Sequence, residues 1–123
     1  SRLRAADLID KHTGEVKPLS ALRGTRVLAF SGIARPLSFI ALLKSLDAFV
    51  AAECTYPDHH LYSKADLAAI FQKAADEKAG MIVTTEKDAV RLAGFNTGGV
   101  WALRIELLMV EQQEWETFLL NSL

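Results

Sequence analysis

Residues 26–46, RVLAFSGIARPLSFIALLKSL, decide the fold class of this chain. The first six residues form an apolar run of strand length. Pro36 suits the first turn of a helix, because its fixed φ and its missing N–H cost nothing there. The stretch therefore predicts a strand, a short loop and a helix over residues 36–46. The apolar face of that helix follows the spacing i, i+3, i+4 and i+7 through Phe39, Leu42, Leu43 and Leu46.

Three further apolar runs have the length of strands and alternate with helical patterns. Parallel neighbours need crossover connections of a dozen residues or more, and the helical segments supply them. We therefore expect an α/β fold, a small three-layer α/β/α sandwich. Helices would cover both faces of a mainly parallel four-stranded sheet with the strand order 2-1-3-4. The four predicted strands are residues 26–31, 49–56, 81–84 and 100–104.

Capping patterns mark two further helices. Ser63 and Asp66 have the spacing of a capping box, in which the serine oxygen accepts a backbone N–H and the acid reaches back to the cap. Thr85 and Asp88 repeat the pattern before a third, shorter helix. Residues 111–120, with apolar side chains on one side, predict a fourth helix.

The first 24 residues differ in pattern from the rest of the chain. Residues 1–24 predict a small β-hairpin or an extended linker around the turn-prone residues 12–14, HTG. An α/β domain, residues 25–123, follows them. Because the chain starts at Ser1 and runs at once into patterned sequence, we expect it to be part of a longer protein.

Composition and charge exclude several classes of function. The 123 residues are 50% apolar and 24% charged, as in one globular domain. Fourteen Lys and Arg against fifteen Asp and Glu leave a formal net charge of -1, so no basic field attracts nucleic acid. The sequence has no uninterrupted apolar run of the length that spans a bilayer. The single cysteine, Cys54, forms no internal disulfide, which fits a reduced, cytoplasmic protein.

Three loops are the candidate site. In open parallel sheets, ligands bind beyond the carboxyl ends of the strands, where helix N-termini offer unpaired amides. Three loops are predicted at that edge: residues 31–36 (SGIARP), 56–62 (YPDHHLY) and 84–88 (TTEKD). In the first loop, Gly32 permits either close approach of a ligand to the backbone or a positive φ, of which the second is commoner.

The second loop holds a carboxylate beside two imidazoles, Asp58, His59 and His60. Such a group is able to orient a ring, relay a proton or bind a divalent ion. The same residues also fit a solvated turn after Pro57. A metal site built here would need further ligands from other loops, so the residues alone leave these alternatives open.

The third loop, residues 84–88, places two hydroxyls, an ammonium and two carboxylates at a strand-to-helix junction. That suits a polyanion such as a nucleotide phosphate. The alternative is a structural role, in which Thr85 caps the helix and Lys87 points into water. The sequence contains no Walker phosphate loop, dinucleotide-binding glycine fingerprint, nucleophile elbow or zinc-binding helix motif, so it is not a complete enzyme of those types.

Together the three loops resemble the C-terminal portion of the tetraacyldisaccharide 4'-kinase family. The likeness covers nearly the whole chain in order, and its combination of motifs is more specific than any single one. Arg91 stands where the family usually has lysine, and Asp47 stands where a glycine often follows the first helix. The matching stretches are residues 30–36 with Phe39, residues 56–62 and residues 84–92 (TTEKDAVRL).

This family phosphorylates the lipid A precursor of Gram-negative bacteria, so the resemblance implies part of a two-domain lipid kinase. The N-terminal P-loop domain of such a kinase carries the phosphate cradle. It meets the lipid A disaccharide 1-phosphate precursor at the cytoplasmic face of the inner membrane. The smaller C-terminal lobe, joined by a short β linker, closes over ATP and Mg²⁺. The resemblance identifies this chain with that lobe, whose partners would be the P-loop domain and ATP.

The resemblance also implies roles for individual residues. Asp58 and His59 match the Asp-His pair of the family at the active cleft, with His59 facing the nucleotide or the reaction. His60 is a lesser candidate, and no metal ligand is assigned to this chain. The implied nucleotide-binding residues are Gly32, His60, Thr85, Glu86, Lys87 and Asp88.

Two other functions stay open at this point. The Asp-His-His tripeptide also suits a metal-dependent phosphoesterase, although paired metals need more Asp and His ligands than this sequence offers. A stand-alone nucleotide-binding regulatory module would use the same loops without catalysis. A Walker motif upstream in the coding sequence would decide in favour of the kinase.

Overall fold

A computed structural model of the chain describes residues 3–107. The predicted helix at residues 111–120 lies outside this range. None of the helices within it is long and apolar enough to cross a membrane. The strands are β1 (Leu3–Ile9), β2 (Val16–Lys17), β3 (Arg26–Ser31), β4 (Phe49–Thr55), β5 (Met81–Thr85) and β6 (Val100–Leu107). The helices are α1 (Pro36–Ser45), α2 (Lys64–Asp76) and α3 (Glu86–Val90), with a 3-10 turn at Leu19–Leu22.

The strands form one six-stranded sheet in the order β2-β1-β6-β5-β3-β4. Within the segment β4-β3-β5-β6 each pair of adjacent strands is parallel, and the order agrees with the one predicted for these four. The prediction of a four-stranded sheet is wrong, because β1 pairs antiparallel with β6 and β2 with β1. Without β1, the backbone of β6 would be an open edge. Arg4 and Asp7 interrupt the apolar pattern of β1, so the sequence does not reveal that this strand joins the main sheet.

Both faces of the sheet are covered, as predicted. Side chains of β3 alternate between two cores, as a pleated strand requires. Val27 and Ala29 pack in one core with Leu43 of α1, whereas Leu28 and Phe30 pack in the other with residues of α2. The four β3 side chains and Leu43 are at most 1% exposed. The three layers of the predicted sandwich are therefore confirmed.

The helix termini follow the capping patterns in the sequence. Ser63 Oγ accepts from the backbone N–H of Asp66 at 3.1 Å, and the Asp66 carboxylate accepts from the Ser63 N–H at 3.0 Å. Thr85 Oγ1 accepts from the backbone N–H of Asp88 at 3.2 Å. Asp47, which follows α1, has a φ of 66°. Glycine adopts that left-handed conformation most readily, which is the physical reason why glycine commonly follows a helix.

The β1–β2 hairpin is fastened to the sheet by Asp10, which is 3% exposed. One carboxylate oxygen accepts from the backbone N–H groups of His12 and Thr13, at 3.0 and 3.3 Å. The other accepts from the N–H of Gly99, just before β6, at 2.9 Å. Of the two alternatives for this segment, a hairpin or an extended linker, the described residues form a hairpin that is part of the same sheet.

An ion pair across β1 and β6 makes the stability of the fold depend on pH. Asp7 and Arg104 are directly opposite in the register and join through two N···O contacts of 2.5 and 2.7 Å. The hydrogen bonds from Arg104 hold the pKa of Asp7 below its ordinary value of 3.8. Since the folded pKa is the lower one, this stabilisation is present above pH 3.8 and is lost as the pH falls through the folded pKa.

We expect Asp7→Asn to lower the free energy of unfolding by about 1 kcal/mol at neutral pH, because both partners are partly exposed. The loss should shrink as the pH falls below 3.8, because wild-type Asp7 is then progressively protonated as well. Urea titrations at several pH values measure this difference. Asp76→Asn, at an exposed position of α2, is the matched control and should change the free energy of unfolding by less than about 0.5 kcal/mol. A loss from Asp7→Asn that is equal at every pH would contradict the ion-pair argument.

Candidate functional site

The three predicted loops meet around Gly32, at the carboxyl ends of β3, β4 and β5. A Cβ built on Gly32 would lie 3.0 Å from the Pro57 carbonyl oxygen, 3.1 Å from His60 Cβ and 3.4 Å from Asp88 Oδ1. The φ of Gly32 is outside the left-handed region. Glycine is therefore required at this position because the other two loops approach it closely. A positive φ, which is the commoner reason for a glycine, does not apply here. The convergence of the three loops on one rim is confirmed.

Asp88 joins the loops from a fully buried position. Its Oδ1 accepts from the N–H of Gly32 at 2.9 Å and from the Tyr62 hydroxyl at 3.0 Å. Its Oδ2 accepts from the Thr85 hydroxyl at 2.6 Å, and Arg91 Nη1 lies 3.4 Å from Oδ1 as the counter-charge. A buried charge with such a set of partners fixes the groups around it. Direct contact between Asp88 and nucleotide stays a prediction, whereas a positioning role follows from the burial.

Tyr62 connects this carboxylate to the apolar core. Burial, and next the charge of Asp88, raise the pKa of the Tyr62 hydroxyl above its ordinary value of 10.0. The hydroxyl therefore stays a donor at neutral pH. The ring packs edge-on against Phe30 and Tyr56, with centroid separations of 5.5 and 5.3 Å.

His59 lies at the outer rim of the site. Its backbone has a φ of 65°, and its N–H donates to the Gly32 carbonyl at 3.1 Å. Nδ1 of the ring lies 3.2 Å from Arg91 Nη2, and Nε2 lies 3.6 Å from an Asp58 carboxylate oxygen. The side chain is 65% exposed. The predicted Asp-His pair is thus side by side and open to a ligand, and its part in a reaction stays a prediction.

His60 is held more firmly by the protein. Its Nε2 lies 2.8 Å from an Asp66 carboxylate oxygen, and its ring stacks on Tyr56 with centroids 4.5 Å apart. The hydrogen bond from His60, followed by one from the Ser63 backbone, lowers the pKa of Asp66 below its ordinary value of 3.8. Because Asp66 is therefore charged at neutral pH, it anchors the ring. Nucleotide contact by His60 stays a prediction, with 24% of its side chain exposed.

Residues 85–87 lie where β5 meets α3. Thr85 is the N-cap of α3, so the structural role considered for it is confirmed. Glu86 forms an ion pair with Lys11 of the hairpin turn at 3.7 Å, and both side chains are exposed by about two fifths. Lys87 is half-buried in the first turn of α3. Contacts of these three residues with nucleotide stay predictions.

Sequence reasoning assigned no site role to Arg91, Tyr62 or Asp66, although all three hold the loops. The capping box with Ser63 is enough to explain Asp66 in the sequence, so nothing there points to its second partner, His60. Arg91 follows Asp88 by three residues, and oppositely charged residues at i and i+3 of a helix are expected to pair. That spacing is the signal in the sequence that could have predicted the contact of Arg91 with Asp88.

A cavity of about 380 Å³ lies beside α3, between the hairpin turn and the loop that precedes β6. Lys11, His12, Val90, Phe95 and Thr97 are among the residues that line it. None of the predicted site residues lines this cavity.

The family model described as Tetraacyldisaccharide-1-P 4'-kinase (LpxK) matches residues 1–123. A tetraacyldisaccharide 4'-kinase from Anaeromyxobacter dehalogenans (strain 2CP-C) is 46% identical over 92 residues, 75% of this chain and 24% of that protein. Another from Syntrophus aciditrophicus (strain SB) is 39% identical over 118 residues, 94% of this chain and 32% of that protein.

The fold is similar to that of a solved structure, the "apo" form of LpxK from Aquifex aeolicus in complex with ATP. The TM-score is 0.61 at 24% sequence identity, over 97% of this chain and 34% of that chain. At this identity the likeness shows the fold. The chain spans about a quarter to a third of the length of the proteins that it matches.

Proposed function

The chain belongs to the tetraacyldisaccharide-1-P 4'-kinase family, and from this we propose that it is the C-terminal lobe of such a kinase. The whole enzyme transfers the γ-phosphate of ATP to the 4'-hydroxyl of the lipid A disaccharide precursor, and this lobe closes over the nucleotide. The match of the family model along residues 1–123 is the observation that carries the proposal.

We assign residues 1–24 to the link with a P-loop domain in the rest of the protein, and residues 25–123 to the lobe. The P-loop domain binds the lipid disaccharide 1-phosphate at the cytoplasmic face of the bacterial inner membrane. This division is supported by the chain spanning only part of its relatives and by the sequence, which lacks a Walker loop.

The rim supplies groups that phosphoryl transfer needs. In that reaction a bond forms from the acceptor hydroxyl oxygen to the γ-phosphorus while the bond to ADP breaks and the hydroxyl proton leaves. Catalysis rests on alignment and on stabilising charge on the transferred group. We propose that His59, which is exposed at the rim with Asp58 beside it, contacts the phosphates and that Lys87 brings positive charge to the same edge.

Mg²⁺ neutralises phosphate charge when it is bound with ATP. Within residues 3–107, no group of three or more His, Cys, Asp or Glu side chains is placed to hold a metal ion. We therefore assign the Mg²⁺ ligands to the triphosphate and to the rest of the kinase. The same observation gives no support, in the described residues, to the paired-metal phosphoesterase considered from the sequence.

We expect the 123-residue chain to bind ATP weakly and to transfer no phosphate, whereas the full-length protein phosphorylates the disaccharide. The reason is that the lobe provides one side of the nucleotide site. Transfer of ³²P from ATP to the tetraacyldisaccharide acceptor measures the activity, and calorimetry measures ATP binding. Phosphate transfer by the chain alone would refute this division of labour, and no transfer by the full-length protein would refute the kinase itself.

A further inference from the structure

Arg91 is anchored by the loops that it joins. It is the first residue after α3, and its side chain is 17% exposed. Nη1 donates to the Gly32 carbonyl at 3.0 Å and lies 3.4 Å from the buried Asp88 carboxylate. The guanidinium therefore has a fixed place, with its second terminal nitrogen, Nη2, left for His59.

The contact between Arg91 and His59 determines where the imidazole proton is. Nη2 lies 3.2 Å from Nδ1 of His59. A guanidinium only donates hydrogen bonds, so Nδ1 has to be the acceptor and the proton of the neutral ring has to be on Nε2. The His59 backbone N–H donates to the same Gly32 carbonyl, at 3.1 Å. The backbone of His59 and the guanidinium that contacts its ring are therefore both fixed relative to Gly32.

The proton-bearing nitrogen is on the accessible side of the ring. Nε2 lies 3.6 Å from the Asp58 carboxylate, beyond hydrogen-bonding distance, and the side chain is 65% exposed. The N–H is therefore available to a ligand. A ring held in this way offers a donor at Nε2 and no lone pair there, so it stabilises an anion and does not accept a proton at that atom.

We infer that Arg91 is a positioning residue that fixes neutral His59 as the Nε2–H tautomer and presents its N–H to a phosphate oxygen. The identity of the phosphate group rests on the proposed function, whereas the tautomer rests on the contacts alone. Arginine suits the task because its planar fork reaches the Gly32 carbonyl and His59 at once. Lysine has a single nitrogen, which has to serve both partners.

The tautomer is measured by ¹⁵N–¹H correlation spectra of the histidine rings in the 123-residue chain, at about pH 8.5 where histidines are neutral. His59→Gln identifies the His59 signals. In the wild type we expect the proton on Nε2, and this measurement needs no Arg91 variant. Arg91→Met should raise the fraction with the proton on Nδ1 about threefold or more, and Arg91→Lys should raise it less. Arg23→Met, at an exposed site, should leave it unchanged.

Two results would overturn the inference: a wild-type His59 protonated mainly on Nδ1, or an Arg91→Met chain that is folded by circular dichroism and has the wild-type tautomer ratio. A second measurement uses the full-length kinase. In that enzyme, Arg91→Met should lower kcat about 10-fold or more with little change in the KM for ATP. Arg91→Lys should recover part of the lost kcat. If His59 variants keep normal turnover while the tautomer is as expected, the proposed role of His59 fails and the tautomer assignment stands.

Discussion

Replacing Asp88 with alanine is expected to lower the free energy of unfolding by about 3–5 kcal/mol, one of the two largest effects for this chain. The carboxylate is fully buried, and its loss leaves the Gly32 N–H and the hydroxyls of Tyr62 and Thr85 without their acceptor. It also leaves the charge of Arg91 without its partner. Unpaired buried groups account for a cost of this size.

Urea unfolding followed by circular dichroism measures the effect, and an unchanged m-value shows that stability alone has changed. Asp88→Asn keeps the shape but not the charge, so we expect a smaller loss of about 1–3 kcal/mol. Asp58→Asn is the matched control at the same edge of the sheet, where the side chain is partly exposed. It should change stability by less than about 0.5 kcal/mol. An Asp88→Ala chain within about 1 kcal/mol of the wild type would contradict the role of Asp88 as the joint of the loops.

Replacing His59 with alanine in the full-length protein is expected to lower kcat about 100- to 1,000-fold, the usual effect of removing a donor to developing charge. Stability should change by less than about 1 kcal/mol, because the side chain is 65% exposed. The backbone supports a functional role: His59 has a φ of 65°, which glycine adopts without strain. A histidine in this conformation lowers the stability of the folded chain relative to glycine. Residues in such strained conformations cluster at functional sites.

Two further variants make the result specific. His59→Gln keeps an N–H donor at a similar reach, so it should recover part of the kcat that His59→Ala loses if the ring acts as a donor. His12→Ala, at the hairpin turn outside the predicted site, should leave kcat within about twofold of the wild type. Near-normal turnover of His59→Ala would remove this residue from the active site.

The sequence predicted the units of this fold well because each unit is coded locally. The alternation of short apolar runs with helical patterns identified β3 to β6. The order expected for them came from the common arrangement of open parallel sheets, because strand order is not written in the sequence. The box of Ser63 with Asp66 and the cap of Thr85 with Asp88 depend on residues three positions apart, within one turn of backbone. The pairing of β1 with β6 was not predicted, because it joins the two ends of the described chain and because two charged residues break the apolar pattern of β1.

The same distinction between local and long-range contacts applies to the candidate site. Sequence alone determined the strand-loop-helix units, the helix caps, the family likeness and the three polar loops at one edge of the sheet. Only the tertiary structure decided what those polar groups do to one another. Gly32 is 56 residues from Asp88 and 59 from Arg91 in the chain, and their hydrogen bonds exist because packing of β3 beside β5 brings them together. Spacing along a sequence encodes contacts within a turn, whereas a contact between distant loops depends on how the whole sheet packs.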